Sequence, residues 1–484
     1  MTFNSLAFLI FFPTVTALYF LLPRKLKWPM LLIASYYFYA FYQPRLLFLI
    51  IATTLVSYLF ALVVERSKSR GVKRLSLAVT LIVCLGVLFF FKYFGFAFDT
   101  VKSLAELFGV RMGDVTLKLV LPVGISFYTF QTLSYVIDVY RGNIKAERNF
   151  FFYALFVSFF PQLVAGPIER PDALMPELRE PHSFSWDNAT RGLKYMALGF
   201  FKKVCVADCI SVYVDSVYNN PEGASSLGVI IATALFSVQI YCDFSGYTDI
   251  ATGAARIMGI RLMKNFDHPY MATSVKEFWS RWHISLSSWF RDYLYIPLGG
   301  NRRGRARTLV NLFVVFIVSG LWHGASFTYI IWGAMHGVYQ IVGKLTSPMR
   351  QRIVEKCGFR DTDAPVLWVR RIITVFLVGS AWLVFRAGSL SDVGTLICAL
   401  FTSFESPLVT LQGMGLTLVP ILTVILSIII LNILDRLVVY GEGKDGSDAL
   451  IRHGAVVYIA WLVILSAFLL LSQGVAGTFI YFQF

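Results

Sequence analysis

The chain has 484 residues, 57% of them hydrophobic and 15% charged, with a formal charge of +15 and a mean hydropathy of +0.67. So much apolar surface excludes a water-soluble globule and indicates an all-α, polytopic integral membrane protein. The positive charge does not point to nucleic acid, because Lys and Arg gather in short segments between apolar runs, at 23–27, 65–74, 301–307 and 350–371, as cytoplasmic loops do. The first apolar run, 3–22, has its basic residues (Arg24, Lys25, Lys27) after it and none before. That order predicts a retained anchor with the N-terminus outside, not a signal peptide. Further runs follow at 28–43, 45–64, 75–97, 119–140, 150–165, 190–215, 227–243, 308–322, 325–345, 371–386, 416–435 and 453–472. Several are shorter than the ~20 residues of a perpendicular span. Broken or re-entrant segments are therefore expected among about eleven to thirteen membrane helices.

Segments 98–118 (with Asp99, Lys102, Glu106, Arg111 and Asp114), 166–189 and 387–415 read as wetter excursions. With no repeat or long linker, the chain reads as one integral domain: N-terminal helices 1–118, a core 119–345 and C-terminal helices 346–484. The six cysteines form no C-x-x-C pair, so neither a disulfide framework nor a metal site is expected. Soluble-enzyme signatures also fail. The stretch from Gly337 to Lys344 has five residues between its glycines and lacks the Ser or Thr of a phosphate loop. Gly124-Ile-Ser126 and Gly324-Ala-Ser326 lack the closing glycine of a nucleophile elbow.

Chemistry must then come from polar groups in apolar surroundings. On a helical wheel of 273–294, Val275, Phe278, Trp279, Trp282, Leu286, Trp289, Phe290 and Tyr293 gather within about 120°. Lys276, Glu277, Ser280, Arg281, Ser287, Arg291 and Asp292 take the other side, with His283 at the edge of the polar face and Ile284 the only clear exception. Such a helix is too charged to span; it anchors at an interface or lines a wet cavity. His323 lies deeper. A helix over 308–322 advances only ~22 Å, short of a hydrocarbon core about 30 Å thick, which puts His323 inside the bilayer. An ionisable group there is a functional candidate, and a neutral histidine bonded to a carbonyl is the plain alternative. His336 is rotated by about 140° from His323 on one continuous helix, unless Gly324 breaks it, and packing beside Gly333 and Gly337 is the better account of it. Residues 239–253, with Asp243, Ser245, Tyr247 and Asp249 around a glycine break, and 160–171, with Glu169 and Arg170, either line a cavity or cap broken helices.

Five blocks taken together resemble the bacterial branch of the membrane-bound O-acyltransferase (MBOAT) family that includes the alginate O-acetylation membrane subunit: PVGISFYTFQTLSYVIDVYRG (122–142), FPQLVAGPIER (160–170), YCDFSGYTDIATG (241–253), EFWSRWHISLSSWFRDYLYIPLGGNRRG (277–304) and SGLWHGASFTYIIWGAMHG (319–337). They cover about 120–340, whereas the N-terminal helices fit more loosely. Met335 stands where an aromatic residue is expected.

The resemblance implies helices around a central tunnel, with His323 of the L-W-H-G motif and His283 of the R-W-H motif as the catalytic pair. It implies an acetyl group taken from a cytoplasmic donor, acetyl-CoA, with no tightly bound cofactor. The acyl group is destined for an exported polysaccharide, and a separate exported SGNH-like protein completes the transfer. Asp243, Arg281, Ser287 and His336 are candidate tunnel-lining residues. Arg302, Arg303, Arg305 and Arg307 are candidate donor-phosphate ligands, though topology explains them as well. From the residues alone, a transporter or flippase and a non-catalytic scaffold of a polysaccharide complex remain open alternatives.

Overall fold

Apolar runs of this length satisfy their backbone polar groups inside a bilayer by forming helices, and every regular element among the described residues is helical. The structure, a computed structural model, describes residues 1–41, 43–113, 121–164 and 166–439, without the side chains of 435–439. The run expected at 453–472, the start of that at 119–140, and Asp114 lie outside the described residues. Among the described residues, five helices are long and apolar enough to cross a membrane, and a pair bent by 81° (Pro407–Gly413 with Leu418–Leu434) makes a sixth candidate.

Two compact units divide the chain. The first comprises residues 1–193 and 251–263. Its helices are α1 (Leu6–Leu21), α2 (Arg24–Ala40), α3 (Leu47–Arg66), α4 (Arg70–Leu88), α5 (Phe94–Leu107), α6 (Ile125–Arg141), α7 (Phe150–Ser158), α8 (Phe160–Leu163) and α9 (Pro171–Arg179), with the start of α10 (Trp186–Phe200). Residues 98–107 of the wetter excursion expected at 98–118 are helical, in α5, which continues the preceding helix through a π turn at Phe89–Tyr93. Buried polar groups fix this unit. Gln131 and Gln162 both donate to Phe156 O (2.7 and 2.8 Å), and Ser57 shares a 2.8 Å hydrogen bond with the Tyr153 hydroxyl.

The second unit comprises residues 194–250 and 264–484. After α10 a π turn (Phe201–Ala207) leads into α11 (Asp208–Tyr218), then α12 (Ser226–Ile257), α13 (Val275–Arg281), α14 (Ile284–Phe290), α15 (Arg305–His323), α16 (Phe327–Lys356), α17 (Ala364–Arg386), α18 (Leu390–Thr402), α19 (Pro407–Gly413) and α20 (Leu418–Val439). The wet excursion expected at 387–415 is largely helical. The glycine break expected near 246 is absent: α12 runs through it unbroken. Gly246 serves a helix crossing, because a Cβ there would sit 2.8 Å from Gly199 O, and one on Gly199 would sit 2.5 Å from Gly246 O.

Candidate active site

His323 is the last residue of α15. The chain leaves the helix at Gly324, and Ser326 caps α16 by accepting from Thr328 N at 3.3 Å. Glycines set the return path. A Cβ on Gly320 would lie 2.2 Å from Tyr329 O and one on Gly333 2.3 Å from Phe316 O, so only hydrogen at both positions allows the backbones so close. This hairpin carries the His323 ring into an aromatic wall of Trp322, Trp332 and Phe385, at centroid distances of 5.0, 4.9 and 5.5 Å. The residue is 3% exposed.

The stretch 273–294 is not one helix. It breaks at Trp282, which is extended, and His283, which adopts the left-handed conformation (φ 44°). The cause is the loop at 265–267. Asp267 N donates to Arg281 O and Ile284 N to Asn265 O, both at 2.9 Å, so the peptide groups freed by the break find partners there. Most of the expected apolar face survives the break: Val275, Phe278, Trp279, Trp282, Leu286, Trp289 and Phe290 are buried, and Tyr293 is half-buried. His283 differs from expectation. Its ring is fully buried, between Phe244 (4.7 Å) and Trp322 (5.9 Å). A non-glycine residue in this backbone region costs on the order of 1 kcal/mol, and such strain concentrates at functional sites.

Asn265 decides the chemistry of that ring. Its Oδ1 accepts from Ser285 N (3.1 Å) and Ser285 Oγ (2.8 Å). A backbone N–H only donates, so the atom it faces is oxygen and the amide orientation is fixed. The same Oδ1 lies 3.2 Å from His283 Nδ1, so Nδ1 carries the proton and Nε2 is the basic nitrogen.

Around these two rings the other candidates take separate places. His336 is fully buried and its Nδ1 accepts from Trp279 Nε1 at 3.1 Å; the Trp332 ring contacts both His336 and His323, each at 4.9 Å. Arg302, Arg303, Arg305 and Arg307 are exposed around a turn that Asn311 ties to α15 by donating to Gly300 O (3.2 Å).

The membrane-bound O-acyltransferase family model matches residues 143–361, which include His283, His323 and the arginine turn. The chain is 36% identical to the "Probable alginate O-acetylase AlgI" of Pseudomonas putida over the full length of both proteins. This chain belongs to the membrane-bound O-acyltransferase family. It is also 34% identical to a peptidoglycan O-acetyltransferase of Helicobacter pylori, over 81% of this chain and 78% of that protein. A teichoic acid D-alanyltransferase of Bacillus subtilis is 30% identical over 45% of this chain and 57% of its own length.

In this acyltransferase Asp243 belongs to a buried ion cluster. Lys203, in the π turn, places Nζ 2.6 Å from Asp243 Oδ1 and 2.7 Å from Asp208 Oδ1, while neighbouring Lys202 pairs with Asp249 at 2.8 Å. Arg281 is half-buried and pairs with Glu277 (2.7 Å). Burial is the largest single effect on the Glu277 carboxyl and pushes it up, but two hydrogen bonds from Thr273 (2.7 Å each) and the Arg281 pairing together outweigh it and hold the carboxyl below its usual range. Ser287 donates to Trp282 O at 3.4 Å.

Four residues escaped the sequence reading: Asn265, Lys203, Asn311 and Trp332. Two lysines inside the apolar stretch GFFKKVCVA were a usable signal, since a charge placed there requires a partner. Asn265 offered none.

Proposed function

We propose that this acyltransferase takes an acetyl group from a cytoplasmic thioester, acetyl-CoA, and moves it across the bacterial cytoplasmic (inner) membrane for O-acetylation of an exported polysaccharide such as alginate. The observation that carries the reading is the pair of buried imidazoles on one indole: His283 and His323 both pack against Trp322. The names of the relatives support the acyl chemistry and the envelope-polymer acceptor.

A thioester is already activated, so transfer needs a base for the incoming hydroxyl and charge stabilisation at the carbonyl oxygen. His323 removes the hydroxyl proton as the oxygen attacks the acetyl carbonyl. The C–O bond forms, the C–S bond breaks, and the proton passes from His323 to the departing thiolate, giving ester and free coenzyme A. His283, whose Nδ1 proton is held by Asn265 Oδ1, orients a reactant by accepting through Nε2. The exposed arginines at 302, 303, 305 and 307 hold the donor phosphates. The N-terminus lies outside, and an exported SGNH-like protein delivers the acetyl group to polysaccharide.

The test is release of free coenzyme A from labelled acetyl-CoA by the full-length protein in liposomes with its exported partner and polysaccharide. Label in the polysaccharide with matching coenzyme A release is expected. Polysaccharide transport with the thioester intact would overturn the proposal. In the same assay, Arg302→Gln with Arg303→Gln raises the donor KM several-fold; an unchanged KM would leave these arginines to topology alone.

A further inference from the structure

A pocket of about 260 Å³ opens at the start of α2 in the first unit, lined by none of the residues assigned above. Its floor is aromatic. Phe152 is buried, Trp28 meets it edge-on at 5.8 Å, and the Arg179 guanidinium lies over its ring at 4.5 Å. Its one carboxylate is fully engaged. Glu147 Oε2 pairs with Arg179, and Oε1 accepts from Arg148 N and Asn149 N at 2.9 Å each. Arg24 and Lys25 complete the wall, and among the described residues neither has an ion-pair partner. The pocket therefore holds three cations against one anion, an excess of two positive charges.

Its surroundings mark a bilayer boundary. Arg24 and Lys25 stand just after apolar α1, with Leu21 81% and Leu26 49% exposed beside them. In the same unit Phe20, Phe184 and Trp186 form an aromatic chain (5.3 and 5.0 Å) that ends in a Trp186 78% exposed, as at a membrane–water interface. We propose that this pocket binds the phosphate of an anionic phospholipid headgroup. Arg24, Lys25 and Arg179 receive the phosphate oxygens, Trp28 and Phe152 pack on the glycerol backbone, and the acyl chains lie along the exposed leucines. The apolar flank favours a lipid over a soluble phosphate, which has nothing to place there.

Native mass spectrometry of the full-length protein tests this, with phosphatidylglycerol and phosphatidylcholine supplied in detergent micelles. Wild type is expected to retain one phosphatidylglycerol in preference to phosphatidylcholine. Arg24→Gln with Lys25→Gln weakens retention about 30-fold, from two charges each worth roughly fivefold at an anionic surface. The charge-conserving pair Arg24→Lys with Lys25→Arg retains the lipid and controls for altered topology, and Trp28→Ala weakens binding with the charges intact. Equal retention of both lipids, or unchanged retention in the Gln pair, would overturn the proposal. So would displacement of the lipid by millimolar coenzyme A or inorganic phosphate, which would make the natural ligand a soluble phosphate.

Discussion

Asn265 Oδ1 lies 3.2 Å from His283 Nδ1 and also accepts from Ser285 N and Ser285 Oγ, so one buried amide fixes both the backbone break and the tautomer of the ring. Asn265→Ala removes the acceptor and is expected to lower kcat by tenfold or more, with less change in donor KM, if His283 acts in the transition state. Asn265→Asp keeps the acceptor and adds a negative charge facing Nδ1, which favours the imidazolium. The acid limb of its pH–rate profile should therefore move to higher pH, with activity above that of the Ala variant. A merely structural role would lower the yield of folded protein without moving the profile.

The α15–α16 hairpin holds His323 by the closeness of two backbones. Gly333→Ala would bring a Cβ to 2.3 Å from Phe316 O, so α16 must move outward and take Trp332 away from the histidine. A loss of activity well beyond the loss of thermal stability is expected, read by comparing turnover with the melting temperature in detergent. Gly343→Ala, where a Cβ meets nothing within 4 Å, is the control and should leave both near wild type.

Lys203 is buried between Asp208 and Asp243. Lys203→Met leaves two carboxylates facing each other without their cation, and removing one partner of a buried pair costs about 3–5 kcal/mol. Its melting temperature should fall sharply, and adding Asp243→Asn should restore part of the loss. A Lys203→Met protein as stable as wild type would show that the pairing contributes nothing.

The helical class was legible because it follows from a local quantity: apolar run length implies helices. The distance from a basic loop to residue 323 implies depth alone; the enclosure of His323 by Trp332 and Phe385 comes from other helices, which that distance does not encode. The segment 273–294 shows the limit. Its periodicity reported seven of the eight apolar-face side chains correctly as buried, but Tyr293 is half-buried and His283 is buried against expectation, and the helix is broken. The break depends on Asp267 N donating to Arg281 O and Asn265 O accepting from Ile284 N, partners supplied by a separate part of the chain. Gly246 misled for a related reason: a glycine in an apolar run reads as a break, but here it admits the backbone of Gly199, a tertiary contact that no single helix encodes. The partnership of Lys203 with Asp208 and Asp243 was likewise hidden, although two lysines amid apolar residues announced that some partner was required.

The central claim is that His323 is the base that takes the proton from the acceptor hydroxyl. The most direct measurement is coenzyme A release from labelled acetyl-CoA by His323→Ala and wild type, at equal expression and with His323→Gln as a polar control of similar reach. Both variants are expected to lose at least a hundredfold in kcat, the usual share of general-base catalysis, while retaining the wild-type melting temperature. Acetyl transfer at the wild-type rate by folded His323→Ala would contradict the account.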